Sequence, residues 1–80
     1  MDRIGEFLKL LAKPERSKVA EVMDAIIAKD TSRLDTKKLT GYSNAYRVRV
    51  GSVRVVYLVH DNWNEIVYVG RRSEKTYKKF

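Results

Sequence analysis

Arg47, Arg49 and Arg54 are the side chains whose type and spacing could do chemistry in this 80-residue chain. Tyr46-Arg47-Val48-Arg49-Val50 alternates apolar and cationic residues, and Gly51-Ser52 turns the chain back into Val53-Arg54-Val55. A two-residue turn there pairs Val50 with Val53, Arg49 with Arg54, Val48 with Val55 and Tyr46 with Tyr57. Arginines then share one face of a hairpin, and opposed like charges with side-chain bases about 5 Å apart are unfavourable. No acidic residue occurs between Lys37 and His60 to relieve them. Guanidiniums are forked, permanently charged donors that suit phosphate oxygens. In phosphoryl chemistry they would also stabilise the charge that builds in the transition state. The competing reading is a solvated strand face with its arginines splayed apart.

Further cations and one phenol extend this set. A third strand over about 66–71, joined by a loop spanning 61–65, places Arg72 opposite Arg54, and a one-residue change of register substitutes Arg71. Tyr77 follows a few residues later and could stack on a base or orient a hydroxyl, although a tyrosine there is as often a packing anchor. Lys75 and Lys78 lie in the same basic tail. Tyr42, Tyr46, Tyr57 and Tyr68 read as structural. His60 shares a strand face with Arg54 but stands six residues, roughly 20 Å, along it, so it reads as loop-proximal and not catalytic. Trp63, in the polar segment Asp61-Asn62-Trp63-Asn64-Glu65, reads as a lid on the sheet edge or, as the alternative, an exposed partner contact.

The charge that makes these residues conspicuous is segregated. Residues 1 to 36 carry seven Lys or Arg and seven Asp or Glu, whereas residues 37 to 80 carry ten against three. The net +7 therefore belongs to the half that reads as sheet, and a pI near 9.9 favours polyanionic partners such as nucleic acid or the ribosome. With 44% hydrophobic and 34% charged residues the chain can bury a core, and its length makes one domain over 1–80. There is no cysteine, so disulfides, zinc–thiolate sites and thiol nucleophiles are excluded. No apolar run approaches the roughly 20 residues of a membrane span. The first residues lack the apolar block of a signal peptide, so a cytoplasmic location is expected. Glycine-rich phosphate loops and paired carboxylates in the basic half are also absent.

The elements that must position the arginines follow from periodicity. Asp2 can cap a first helix whose Ile4, Phe7, Leu8 and Leu11 fall on one face. Lys13-Pro14 breaks it and opens a second helix to about Lys29, with a stripe of Val19, Val22, Met23, Ile26 and Ile27. Asp30 to Lys38 is polar connection, with Leu34 and Leu39 as anchors. From Tyr46 the period becomes two, giving strands at about 45–50, 53–60 and 66–71. The expected class is α+β: an antiparallel helical hairpin packed on an antiparallel meander of three or four strands. Tyr46, Val48, Val50, Val53, Val55 and Tyr57 should face the helices.

Taken in order, Lys38-Leu39-Thr40-Gly41, Tyr46-Arg47-Val48-Arg49-Val50-Gly51, Arg54-Val55-Val56-Tyr57, Val69-Gly70-Arg71-Arg72 and Tyr77 resemble the RelE/ParE toxin superfamily of toxin–antitoxin systems. The preceding helical pair agrees in order and size. The resemblance implies a compact α+β fold and, in its RelE branch, an endoribonuclease that cuts mRNA in the ribosomal A site. It also implies a cognate antitoxin partner. Family functional positions fall on Arg47, Arg49, Arg54, Arg72 and Tyr77. Catalysis is expected from Arg49, Arg54, Arg72 and Tyr77, and RNA contact from Arg47, Arg71, Lys75 and Lys78. Cleavage in that branch uses the ribose 2′-hydroxyl as nucleophile, with no metal and no cofactor. Two departures stand out. Family members usually open with a strand, absent here, which would leave a sheet edge for an antitoxin segment or a second copy of the chain. Lysine is also common where this chain has Arg47 and Arg49. The same scaffold carries ParE-like gyrase inhibitors, and a truncated relative could bind RNA or antitoxin without cleaving.

Overall fold

The computed structural model describes residues 3–71. The proposed Asp2 cap and the tail positions Arg72, Lys75, Tyr77 and Lys78 lie outside them. Two helices, α1 (Arg3–Lys9) and α2 (Lys13–Ile27), precede four strands, β1 (Thr36–Lys38), β2 (Ala45–Val50), β3 (Val53–Val59) and β4 (Asn64–Arg71). The strands form one antiparallel meander in the order β1-β2-β3-β4. Both helices pack on one face of it, chiefly against β4. The α+β layout matches the expectation from periodicity.

Each helix ends for a local reason. After α1, Leu10 N–H donates to the Phe7 carbonyl and Leu11 N–H to that of Leu8, a tightened last turn. Ala12 is extended (φ −61°, ψ 151°), and Pro14 then sits in the first turn of α2, where its missing N–H removes no helical bond. At the far end Asp30 N–H donates to the Ala25 carbonyl and Lys29 N–H to that of Ile26, a Schellman pattern. Lys29 accordingly takes φ 64°, a left-handed conformation usually given to glycine. The helix therefore stops at Ile27, whose side chain is exposed and not part of the stripe.

The core lies between the helices and the inner face of the sheet. Leu11, Val19, Ile26, Val48, Val53, Val55, Tyr57 and Val69 are buried there, with Ile4, Phe7, Leu8, Val22, Met23, Leu34, Tyr46, Val50 and Ile66 packed around them. Tyr46 and Tyr57 stack as a cross-strand pair, ring centroids 5.6 Å apart. The β2–β3 register is the one the two-residue turn implies, from Val50 opposite Val53 to Tyr46 opposite Tyr57. Gly51 holds φ 58° at the first turn position, and Ser52 needs no such conformation, which fits a type II′ turn.

Two expectations about the sheet are corrected. Thr36–Lys38, read as connection, pairs with β2 as an edge strand that puts Lys37 opposite Arg47. Three polar residues carry too short a pattern to announce a strand, and pairing with β2 makes it one. The third strand also begins earlier than expected. Val59 pairs with Asn64 around a four-residue turn, His60 to Trp63, closed by His60 N–H donating to the Trp63 carbonyl. A bulge then intervenes: Tyr57 faces Ile66 while Val56 faces Tyr68, leaving Val67 unopposed. As a result Arg54 lies opposite Gly70, and neither Arg72 nor Arg71 takes that place.

Candidate nucleic-acid interface

On the outer face of the sheet the register aligns two rows across the strands. One runs Lys37, Arg47, Val56, Tyr68, and the other runs Arg49, Arg54, Gly70. Side chains on alternate residues of a strand share a face, so Arg47, Arg49 and Arg54 are grouped on the side away from the helices. Lys37 adds a further positive charge to the set.

Their environments differ. Arg49 is exposed. Arg47 and Arg54 are buried, at 7% and 8% exposure. Arg47 reaches toward β1, where Nη1 lies 3.4 Å from the Asp35 carbonyl oxygen and 3.9 Å from the Asp35 carboxylate. The same carbonyl accepts the Arg49 backbone N–H at 3.3 Å. Asp35 itself is largely exposed, so this acid meets one arginine at the margin of the group and does not neutralise the row.

Arg71 is on the other side. Because Val53 is its partner across the ladder, it projects toward the helices. Nη1 donates to Glu15 Oε2 at 3.1 Å and to Ser52 Oγ at 2.6 Å, and Ser52 Oγ donates to Glu15 Oε2 at 2.9 Å. Its guanidinium carbon lies 5.8 Å from the centre of the Phe7 ring. This cluster ties the β2–β3 turn and the end of β4 to the first turn of α2, and it removes Arg71 from the arginine face. The bulge at Val67 sets this placement.

Asn64, Trp63 and His60 form the far end of the β3–β4 hairpin. Asn64 Nδ2 donates to the Ile26 carbonyl at the end of α2 (2.9 Å). The His60 ring stacks on Trp63 at 4.6 Å, and its Nε2 lies 2.9 Å from Glu65 Oε1. Trp63 is 55% exposed, so it covers His60 and does not serve as a lid on the sheet edge. His60 belongs to the turn, remote from Arg54 along β3, as the sequence implies.

Tyr68 and Gly70 are the site features that sequence reading passes over. A Cβ placed on Gly70 would lie 2.7 Å from Tyr68 Cζ and 3.1 Å from Cε2, and nearer still to the hydroxyl oxygen. The phenol is therefore folded flat along its own strand over the glycine. A glycine inside a strand marks such close approaches, and that was the available signal. Among the described residues no three His, Asp or Glu side chains gather as a metal site, and no helix is long and apolar enough to cross a membrane.

The same architecture exists in solved structures. A chain of the RelB–RelE antitoxin–toxin complex from Methanococcus jannaschii superposes with a TM-score of 0.76 at 24% identity, over 100% of this chain and 95% of that one. A chain of the archaeal RelE–RelB complex from Pyrococcus horikoshii OT3 gives 0.71 at 25%, over 92% and 91%. The fold is RelE-like. No protein-family model matches the chain, and no curated protein sequence matches it. In this RelE-like chain the helices shield one face of the meander and leave the cationic residues to the other, so the resemblance read from short motifs extends to the whole topology.

Proposed function

We infer that this chain is the toxin of a toxin–antitoxin pair and acts as a ribosome-dependent, metal-independent endoribonuclease on mRNA. The carrying observation is the grouping of Arg47, Arg49 and Arg54 on one sheet face of a RelE-like fold, with Lys37 alongside. In this reading Arg49 and Arg54 grip the scissile phosphate. Arg72 stabilises the transition state, and Tyr77 positions the nucleotide. Arg47, Lys75 and Lys78 hold flanking RNA. Arg71, engaged by Glu15 on the helix side, is left out of the assignment. The 2′-hydroxyl attacks phosphorus, the bond to the 5′-oxygen breaks, and a cyclic phosphate remains. A guanidinium is a poor base, so the proton lost by the 2′-hydroxyl and gained by the 5′-oxygen passes through Tyr77 or solvent. Weak turnover away from the ribosome follows, because ordering the RNA supplies much of the catalysis. A cognate antitoxin is the natural protein partner of such a chain, and the β4 edge offers it, or a second copy, a strand to pair with.

A second reading, a non-cleaving toxin such as a ParE-like gyrase inhibitor or a protein that only binds RNA or antitoxin, is favoured by one observation. Arg54 is buried, and gripping a phosphate requires it to become accessible. Inducible expression in a bacterium, with mRNA 5′ ends mapped on translating ribosomes and a parallel gyrase supercoiling assay, separates the two. New 5′ ends within codons, lost in Arg49→Ala and Arg54→Gln, support the nuclease. Growth arrest with unchanged mRNA ends and inhibited gyrase would replace it.

A further inference from the structure

The arginine row has a third strand, and what that strand contributes is a hydroxyl. Gly70 stands directly opposite Arg54, which stands directly opposite Arg49. Residues so paired have side-chain bases about 4.5–5.5 Å apart. Gly70 supplies no side chain of its own, and the space where its Cβ would be is taken by the phenolic end of Tyr68. The Tyr68 hydroxyl therefore occupies the β4 position of the row Arg49–Arg54–Gly70, although Tyr68 itself belongs to the neighbouring row. The bulge at Val67 is what makes this so, because it returns Tyr68 and Gly70 to the outer face while keeping Ile66 and Val69 in the core.

Two further facts make the hydroxyl a binding group and not a packing end. Tyr68 is half-buried, neither sealed in the core nor fully solvated. Among the described residues nothing hydrogen-bonds its hydroxyl. Tyr57, by contrast, is buried in the core on the helix side of the sheet. A phenol held against a glycine, one strand over from Arg54 and two from Arg49, offers a neutral donor to the same anion that the guanidiniums would neutralise.

We propose that the Tyr68 hydroxyl, seated over Gly70, is a phosphate-binding group of the arginine face, donating a hydrogen bond to an RNA phosphate held by Arg49 and Arg54. The proposal rests on the RNA-binding reading above. Gly70 is then required for its lack of a side chain. Its backbone lies outside the left-handed region, so alanine is allowed by the backbone and excluded by the ring.

Binding of the full-length chain to a fluorescein-labelled 2′-O-methyl oligoribonucleotide tests this by anisotropy at fixed salt, since that probe keeps the phosphates and lacks the nucleophile. Tyr68→Phe removes the hydroxyl and keeps the ring, and should weaken binding about five- to tenfold with an unchanged melting temperature. Gly70→Ala should weaken it at least as much by displacing the phenol. The Tyr68→Phe/Gly70→Ala double variant should bind no more weakly than Gly70→Ala alone, the non-additivity expected when two changes disable one group. If Arg49→Ala weakens binding while Tyr68→Phe binds like the parent, the role of Tyr68 is wrong and the arginine face stands. Equal binding by the parent and Arg49→Ala removes the arginine face as an RNA site, and this proposal with it. A loss in Gly70→Ala without one in Tyr68→Phe assigns the effect to the backbone and also overturns it.

Discussion

The two faces of the same sheet treat their arginines differently. On the inner face Arg71 meets Glu15, Ser52 and the Phe7 ring, so its charge is matched within the fold and serves to fasten β4 and the β2–β3 turn to α2. On the outer face Lys37, Arg47, Arg49 and Arg54 are gathered in facing register, and the exposed Asp35 carboxylate stands 3.9 Å from Arg47. An inner arginine matched by an acid is architecture. An outer group of like charges stores repulsion that a polyanion can relieve.

The largest effects should separate the faces by what they damage. Ile26→Ala, at a fully buried inner position, should lower stability by about 2–5 kcal/mol in urea or thermal unfolding. Arg49→Ala, at an exposed outer position, should change stability by less than about 0.5 kcal/mol while reducing mRNA cleavage on ribosomes by about 100-fold or more. A marked loss of stability with full cleavage would break the contrast. A charge pair sharpens it further. Glu15→Gln removes the carboxylate charge from beside Arg71 and should lower stability by up to about 1 kcal/mol, because the bridge is partly exposed. Arg49→Glu places an acid opposite Arg54 and should raise stability by up to about 1 kcal/mol while abolishing RNA binding. A lower melting temperature for Arg49→Glu would mean that the outer charges are not in conflict.

The smallest effect concerns Tyr57. Burial pushes its phenol above the ordinary value of 10.0, partly offset by hydrogen bonds with Thr31 and Thr36. A raised folded-state pKa means that the neutral phenol is held more tightly when folded. Its contribution to stability is complete below about pH 10 and is lost as pH rises through the folded value. Unfolding midpoints measured between pH 8 and 11.5 should fall at the alkaline end, and less steeply in Tyr57→Phe.

Much of this could be read from local pattern. Val50 opposite Val53 and Arg49 opposite Arg54 follow from a glycine at a two-residue turn and alternation on either side, because a one-residue slip would send Val48, Val50, Val53 and Val55 outward. The helix-facing set of Val48, Val53 and Val55 follows for the same reason. Elsewhere pattern was insufficient. The polar run Thr36-Lys37-Lys38 hides a strand that exists because β2 had an edge to share. Ile27 continues the apolar spacing of α2 yet is exposed, because it falls about 100° round the helix from the buried Ile26.

Alternation and turn chemistry by themselves determined the α+β class, the central hairpin and the company that Arg47, Arg49 and Arg54 keep, since these depend on neighbours a few residues apart. Tertiary structure alone decided β4. An unopposed Val67 and a four-residue turn, both fitted to the demands of β3 and the helices, set which face each later residue occupies. That choice sent Arg71 to Glu15 and put the Tyr68 phenol over Gly70, in the row of Arg54 and Arg49, because a bulge reverses the facing of everything beyond it.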